Sequence, residues 1–226
     1  LSRLTAGGNE SAFRDTIRQT VHSSLYFVLP MSAGLMAVSR PLISFLYGGG
    51  EFDDFAVGIT SSALIFLSLG MAGYAVQNIL SRAYFARQDG KTPLVAGGVS
   101  ILVNIALCMV LTGPFQVAGL AFSSAVSSTV YALLLLLPMQ RRGEGVLDGG
   151  MARDLLKMLL SAAATGLAAA GTLYLLGGVL PGGKLGELLC LGGCALVGLA
   201  VYFLLTLVLA VPEARLVVSL ARGKHE

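Results

Sequence analysis

From Lys91 to Arg141 the chain reads KTPLVAGGVSILVNIALCMVLTGPFQVAGLAFSSAVSSTVYALLLLLPMQR, with no formal charge between its two ends. No water-facing surface of a compact domain accommodates so long a neutral run. The rest of the 226 residues agrees: 55% are apolar, only 12% are charged, and the mean hydropathy is +0.81. A soluble domain carries about 25% charged residues, so the solvent implied here is a bilayer.

A helix needs ~20 residues at ~1.5 Å each to cross the hydrocarbon layer. Uncharged windows of at least that length run from Gln19 to Ser39, Phe55 to Ser81, Thr92 to Gln140, Met158 to Gly183 and Leu188 to Pro212. The third is long enough for two crossings and breaks at Gly113-Pro114, a pair that ends one helix and opens a turn. Lipid-facing strands would have to close into a barrel, and the alternating pattern of barrel strands is missing. The reading is therefore all-α, a polytopic bundle of six transmembrane helices at about 19–47, 55–88, 92–112, 116–140, 155–180 and 186–211. Pro30 is expected to kink the first of these.

Six crossings put both ends on one side. Thirteen of the fifteen Lys and Arg then share that side: Arg3, Arg14, Arg18, Arg82, Arg87, Lys91, Arg141, Arg142, Arg153, Lys157, Arg215, Arg222 and Lys224. Arg40 and Lys184 fall opposite. The positive-inside rule makes the crowded side cytoplasmic, with residues 1–18, the loop 141–157 and the tail 213–226. In that tail Leu216, Val217 and Leu220 oppose Arg215 and Arg222, an interfacial pattern.

Several polar groups fall inside the spans. Ser124, Ser127, Ser128 and Tyr131 occupy one helix face, which suits either a hydrated cavity or close helix packing; Gly119, Ser123 and Ser127 repeat at the spacing that packing uses. Gln77, Asn78, Ser100 and Asn104 are costly to leave unpaired in hydrocarbon and should face protein or water. Ala162, Gly166 and Ala170 form a small-residue stripe expected to meet the sixth helix near Cys194 and Gly198. Cys108, Cys190 and Cys194 read as small packing residues. His22 and His225 stand alone, no nucleophile has a base and acid in reach, and the net charge of +3 does not suggest nucleic acid. Neither enzyme chemistry nor a cofactor or metal is implied. Arg82, Arg87 and Lys91 cluster where an anionic ligand could be held, though the same residues could merely set topology and meet lipid headgroups.

Against this background Tyr84-Phe85-Ala86-Arg87-Gln88-Asp89-Gly90-Lys91-Thr92-Pro93 resembles a signature of the MurJ (MviN) lipid II flippases: an aromatic pair, Ala-Arg-Gln-Asp, then Thr-Pro. Upstream, Leu46-Tyr47-Gly48-Gly49-Gly50-Glu51-Phe52 is similar to that family's external turn, with Gly49 where a basic residue is usual. Asn104, Gly113-Pro114 and Val117-Ala118-Gly119-Leu120-Ala121 follow in the family's order, and the similarity runs from Leu1 to Leu137, continuing as hydropathy alone. The resemblance implies the last six helices of a fourteen-helix transporter of the MOP exporter superfamily in a bacterial cell membrane. It would carry an undecaprenyl-pyrophosphate-linked peptidoglycan precursor from the inner to the outer leaflet by alternating access. Its partners would be membrane lipids, that cargo and an amino-terminal lobe upstream of Leu1. Gln77, Asn78 and Asn104 would then be cavity-wall candidates, with Arg82, Arg87 and Lys91 as candidate cargo contacts. The last two helices would offer a groove for the isoprenoid tail. The rival readings are a polysaccharide-lipid or multidrug exporter of the same superfamily, and a non-transporting membrane scaffold.

Overall fold

A computed structural model describes residues 10–50, 52–141, 149–177 and 183–214. Over these residues the long elements are helices: α1 (Glu10–Tyr47), α2 (Asp54–Ala86), a continuous run Lys91–Arg141, α5 (Gly149–Gly177) and α6 (Lys184–Val208). All five are long and apolar enough to span a membrane. The tail 213–226, apart from its first two residues, and the centre of the 141–157 loop lie outside the described residues.

The Lys91–Arg141 run is two legs. Gln116 has φ 48° and ψ −126°, which no helix tolerates. Ser100 Oγ donates to the Ser127 carbonyl at 2.7 Å, whereas in a straight rod these residues would stand about 40 Å apart. We call the legs α3 (91–115) and α4 (117–141). The reversal falls at Gln116 rather than at Gly113-Pro114, and it requires a bare Cα at Gly119, where a Cβ would sit 2.5 Å from the Leu111 carbonyl oxygen.

Helix α1 begins at Glu10, earlier than an uncharged window suggests. Phe13, Ile17, Val21 and Leu25 are buried at four-residue spacing, so the charged residues between them share the helix without entering its packed face. Pro30 and Pro41 both lie within the unbroken helix.

The chain divides into two compact units. The first comprises Leu1–Val28 and Phe66–Ala152. Within it α2 and α4 run parallel: Phe66 meets Phe122 edge-on with ring centroids 5.4 Å apart, and Gly70 and Gly73 lie against Ala125, Ser128 and Thr129. A Cβ on Gly70 would be 2.7 Å from the Ala125 Cα, and one on Gly73 would be 3.0 Å from the Thr129 nitrogen. Glycine at these positions is what allows the two backbones to approach.

The second unit comprises Leu29–Ile65 and Arg153–Glu226. Ala169, Cys190 and Cys194 form its buried centre, flanked by Ala37, Val38, Leu173 and Leu176. Gly166 faces Ala33 of α1, while Thr165 packs on Gly198 of α6. The expected Ala162, Gly166 and Ala170 stripe is thus turned away: Gly166 meets α1, Ala170 is exposed, and the face that meets α6 is Thr165 and Ala169. At the junction of α1 and α2, Asp53 Oδ1 caps the Ala56 N–H at 2.9 Å, and Arg40 Nη2 lies 2.9 Å from both carboxylate oxygens of Asp54. Helix α6 ends in a Schellman turn, Val211 N–H to Thr206 O and Ala210 N–H to Leu207 O, with Ala210 at φ 54°.

Three consequences are measurable by thermal unfolding in detergent. Gly73→Ala should lower the midpoint, since the added methyl meets backbone that cannot yield. Gly34→Ala, with no atom within 4 Å of the new Cβ, should raise it by the ~1 kcal/mol helix preference of Ala. Ala210→Gly should stabilise by about 1 kcal/mol through relief of the left-handed backbone.

Candidate functional site

The polar residues singled out from the sequence lie in the first unit, where the family-motif stretch forms the corner that joins α2 to α3. There α2 closes with Asp89 N–H donating to Tyr84 O at 3.0 Å and Gln88 N–H to Phe85 O at 3.0 Å. Gln88 takes the left-handed conformation, φ 60°. This is a Schellman ending in which glutamine occupies the place usually given to glycine. One residue later the chain re-enters a helix. Asp89 Oδ1 accepts the Thr92 N–H at 3.1 Å and Oδ2 accepts the Thr92 hydroxyl at 2.8 Å, the arrangement of an N-cap. Pro93 follows inside the first turn, where its missing N–H costs nothing.

Two tyrosines fix this corner to α4. The buried Tyr84 hydroxyl donates to the Leu135 carbonyl at 2.8 Å. Ser81 Oγ donates to the Tyr131 hydroxyl at 3.2 Å, and that hydroxyl in turn lies 3.4 Å from the Pro93 carbonyl. Tyr84, Gln88, Asp89, Thr92 and Pro93 therefore build shape. Phe85, 59% exposed, is left outward.

The three cations separate. Arg87 is sunk, its side chain 16% exposed, with its guanidinium carbon 4.7 Å from the Phe13 ring centroid and Nη2 3.7 Å from the Glu10 carboxylate. Arg82 and Lys91 are exposed and form no hydrogen bond or ion pair with the described residues.

The amides separate as well. Asn104 Nδ2 donates to Ser127 Oγ at 3.2 Å, and Asn104 Oδ1 accepts from Cys108 at 3.7 Å. Asn78 is exposed and returns its amide to the Tyr74 carbonyl at 2.8 Å. Gln77 is half-buried, on the α2 stripe that carries Gly70, Gly73, Leu80 and Tyr84, and makes no hydrogen bond with the described residues. The hydroxyls of α4 are spent nearby: Ser123 on Gly119 O, Ser124 on Leu120 O, Ser127 on Ser124 O, Ser128 on Ala125 O. On that face Ser127 meets Ser100 and Asn104 of α3 and Ser128 meets Gly73 of α2, which are contacts of packing, while Ser124 is half-buried and bonds within its own helix. No group of three or more His, Cys, Asp or Glu gathers among the described residues.

Two features escaped the sequence. Gly70 and Gly73 carry a signal in their three-residue spacing. The meeting of Arg87 with Phe13 and Glu10 carries none, since those residues lie more than seventy positions apart.

Known proteins share these elements. The sequence profile of a family described as "Lipid II flippase MurJ" matches residues 1–191, past Leu137, where the sequence reading had only hydropathy to follow. A protein of Thermotoga maritima named "Probable lipid II flippase MurJ" is 30% identical over 98% of this chain and 43% of its own length. One of Rhizobium meliloti with the same name is 27% identical over 72% of this chain and 30% of its own. A solved structure described as "Lipid II flippase MurJ, inward closed conformation" superposes with a TM-score of 0.71 at 24% identity. It covers 92% of this chain and 41% of that one, a likeness of fold. This chain thus spans less than half the length of the relatives it matches. With more than half of the chain inside the family profile, it belongs to the lipid II flippase MurJ family.

Proposed function

We propose that this chain is the carboxyl-terminal part of a flippase that moves a lipid-linked peptidoglycan precursor from the inner to the outer leaflet by alternating access. The observation that carries the reading is the family profile across residues 1–191. In this reading the protein resides in a bacterial inner membrane with both ends of the chain cytoplasmic. It works with an amino-terminal lobe upstream and makes no covalent change to its cargo.

The physical task is to pass a large polar headgroup across hydrocarbon while its tail stays in lipid. Desolvating that headgroup would be prohibitive, so it needs a hydrated wall. Gln77 is a half-buried residue of the first unit suited to such a wall, because its amide is not spent on the described protein groups; Asn78 beside it is exposed, with its amide turned back to Tyr74 O. Asn104 serves the wall from behind by holding α3 to α4. Arg82 and Lys91 are exposed cations available to an anionic headgroup at the cytoplasmic face, and the exposed apolar residues of α5 and α6 suit an isoprenoid chain.

A second reading, a non-transporting scaffold, draws support from the serine hydroxyls of α4, which are bonded to backbone carbonyls of their own helix. The two separate by accessibility. In the complete protein, Gln77→Cys should react with a membrane-impermeant maleimide while Asn104→Cys stays protected; protection at both favours the scaffold.

For transport itself, the complete protein in proteoliposomes should expose the precursor headgroup at the far leaflet. Arg82→Ala and Lys91→Ala should each slow this about fivefold, the equivalent of ~1 kcal/mol for a cation near an anionic surface. Unchanged rates in both variants would remove these cations from the cargo path.

A further inference from the structure

We infer that Arg87 acts on transport through α1, as the positioning residue of a clasp that seats the start of that helix on the α2–α3 corner, and not as a contact to the cargo. This rests on the flippase reading for its transport role but not for the contact itself.

Burial is the first argument. The Arg87 side chain is 16% exposed while Glu10 is 75% exposed, so the guanidinium is inside the contact and the carboxylate lies at its rim. An ion pair at 3.7 Å with one partner in solvent contributes little. The stacking on Phe13 is different: at 4.7 Å from the ring centroid, with the cation largely withdrawn from water, it is the stronger of the two interactions. Phe13 is itself 1% exposed, so the ring cannot turn away to solvent.

Geometry is the second argument. Arg87 is the last residue before the left-handed Gln88, and its own N–H donates to Tyr84 O at 3.0 Å. The backbone that carries the guanidinium is therefore held by the same turn that aims Asp89 at Thr92. On the other side, Phe13 opens the buried row Ile17, Val21 and Leu25. A planar cation between these two rigid pieces fixes where α1 begins along α2. Lysine could keep the charge but would lose the planar, weakly hydrated guanidinium held over the ring.

The test is a double-mutant cycle in the complete protein with Arg87→Met, which keeps the stem, and Phe13→Leu, which keeps the apolar volume. Thermal midpoints in detergent should show coupling, with Arg87→Met costing little once Phe13 is gone. In proteoliposomes Arg87→Met should lower the maximal flipping rate about tenfold and leave the precursor density at half-maximal rate unchanged, and the double variant should flip no more slowly than Arg87→Met alone. Additive midpoints, or a rise in the half-saturating density, would overturn the inference, the second because it marks direct contact with cargo. Should the unmodified protein move no precursor, the flippase reading fails, and the midpoint cycle still decides the clasp.

Discussion

Hydrocarbon offers no water to an unpaired N–H, carbonyl or hydroxyl, and nearly every polar contact in this chain follows from that constraint. Helices settle the backbone. The side-chain hydroxyls are settled mostly within the same helix: Thr16 on Ala12, Ser123 on Gly119, Thr129 on Ala125, Thr172 on Ala168 and Thr206 on Tyr202, each donating one turn back. Such bonds make a polar residue tolerable without committing it to a neighbour. The few bonds that do cross between helices consequently carry directional information out of proportion to their number.

In the first unit those crossings include Ser100 and Asn104 to Ser127, Ser81 to Tyr131, Tyr131 to Pro93, and Tyr84 to Leu135. They set α2, α3 and α4 in fixed register, while Gly70 and Gly73 set the α2–α4 spacing. The second unit is held differently. Its centre is Ala169, Cys190 and Cys194, and α5 meets its neighbours through Gly166 on Ala33 and Thr165 on Gly198. Its Arg40–Asp54 pair is well aligned but solvent-exposed, so it contributes little to stability. Apolar side chains such as Leu167, Tyr174, Leu196 and Leu199 remain outside, 73% or more exposed, as lipid contact requires.

Fold class was legible because hydropathy reports the solvent directly, and the charge-free run from Thr92 to Gln140 admits few other environments. Boundaries were less so. Charge marks where a helix meets water, not where it stops, and Arg14 and Arg18 ride on a helix already formed. The reversal at Gln116 was misplaced for a related reason: Gly113 and Pro114 advertise a break, but the strained residue and the glycine that permits close approach lie further on. Within the site, the caps were written in Asp89 and Thr92, whose three-residue spacing is that of an N-cap. The partners of Arg87 were not, because no local pattern links it to Phe13.

This division bears on what a family signature means. Residues that recur together in a motif invite a binding role, and a run of Arg, Gln and Asp beside a membrane invites it strongly. Here the run makes a corner: Tyr84 anchors it, Gln88 bends it, Asp89 and Thr92 restart the helix, and Pro93 offers the carbonyl that Tyr131 reaches. A side chain already bonded to protein can meet a ligand only by giving up that bond, at a cost of about 1–3 kcal/mol if its partner is left buried and unpaired. Groups that owe nothing to the fold escape this cost. By that reasoning, in the flippase proposed above, Arg82, Lys91 and Gln77, which flank or precede the corner, are the groups that a headgroup would meet at least cost, while the corner holds them at defined positions along α2 and α3.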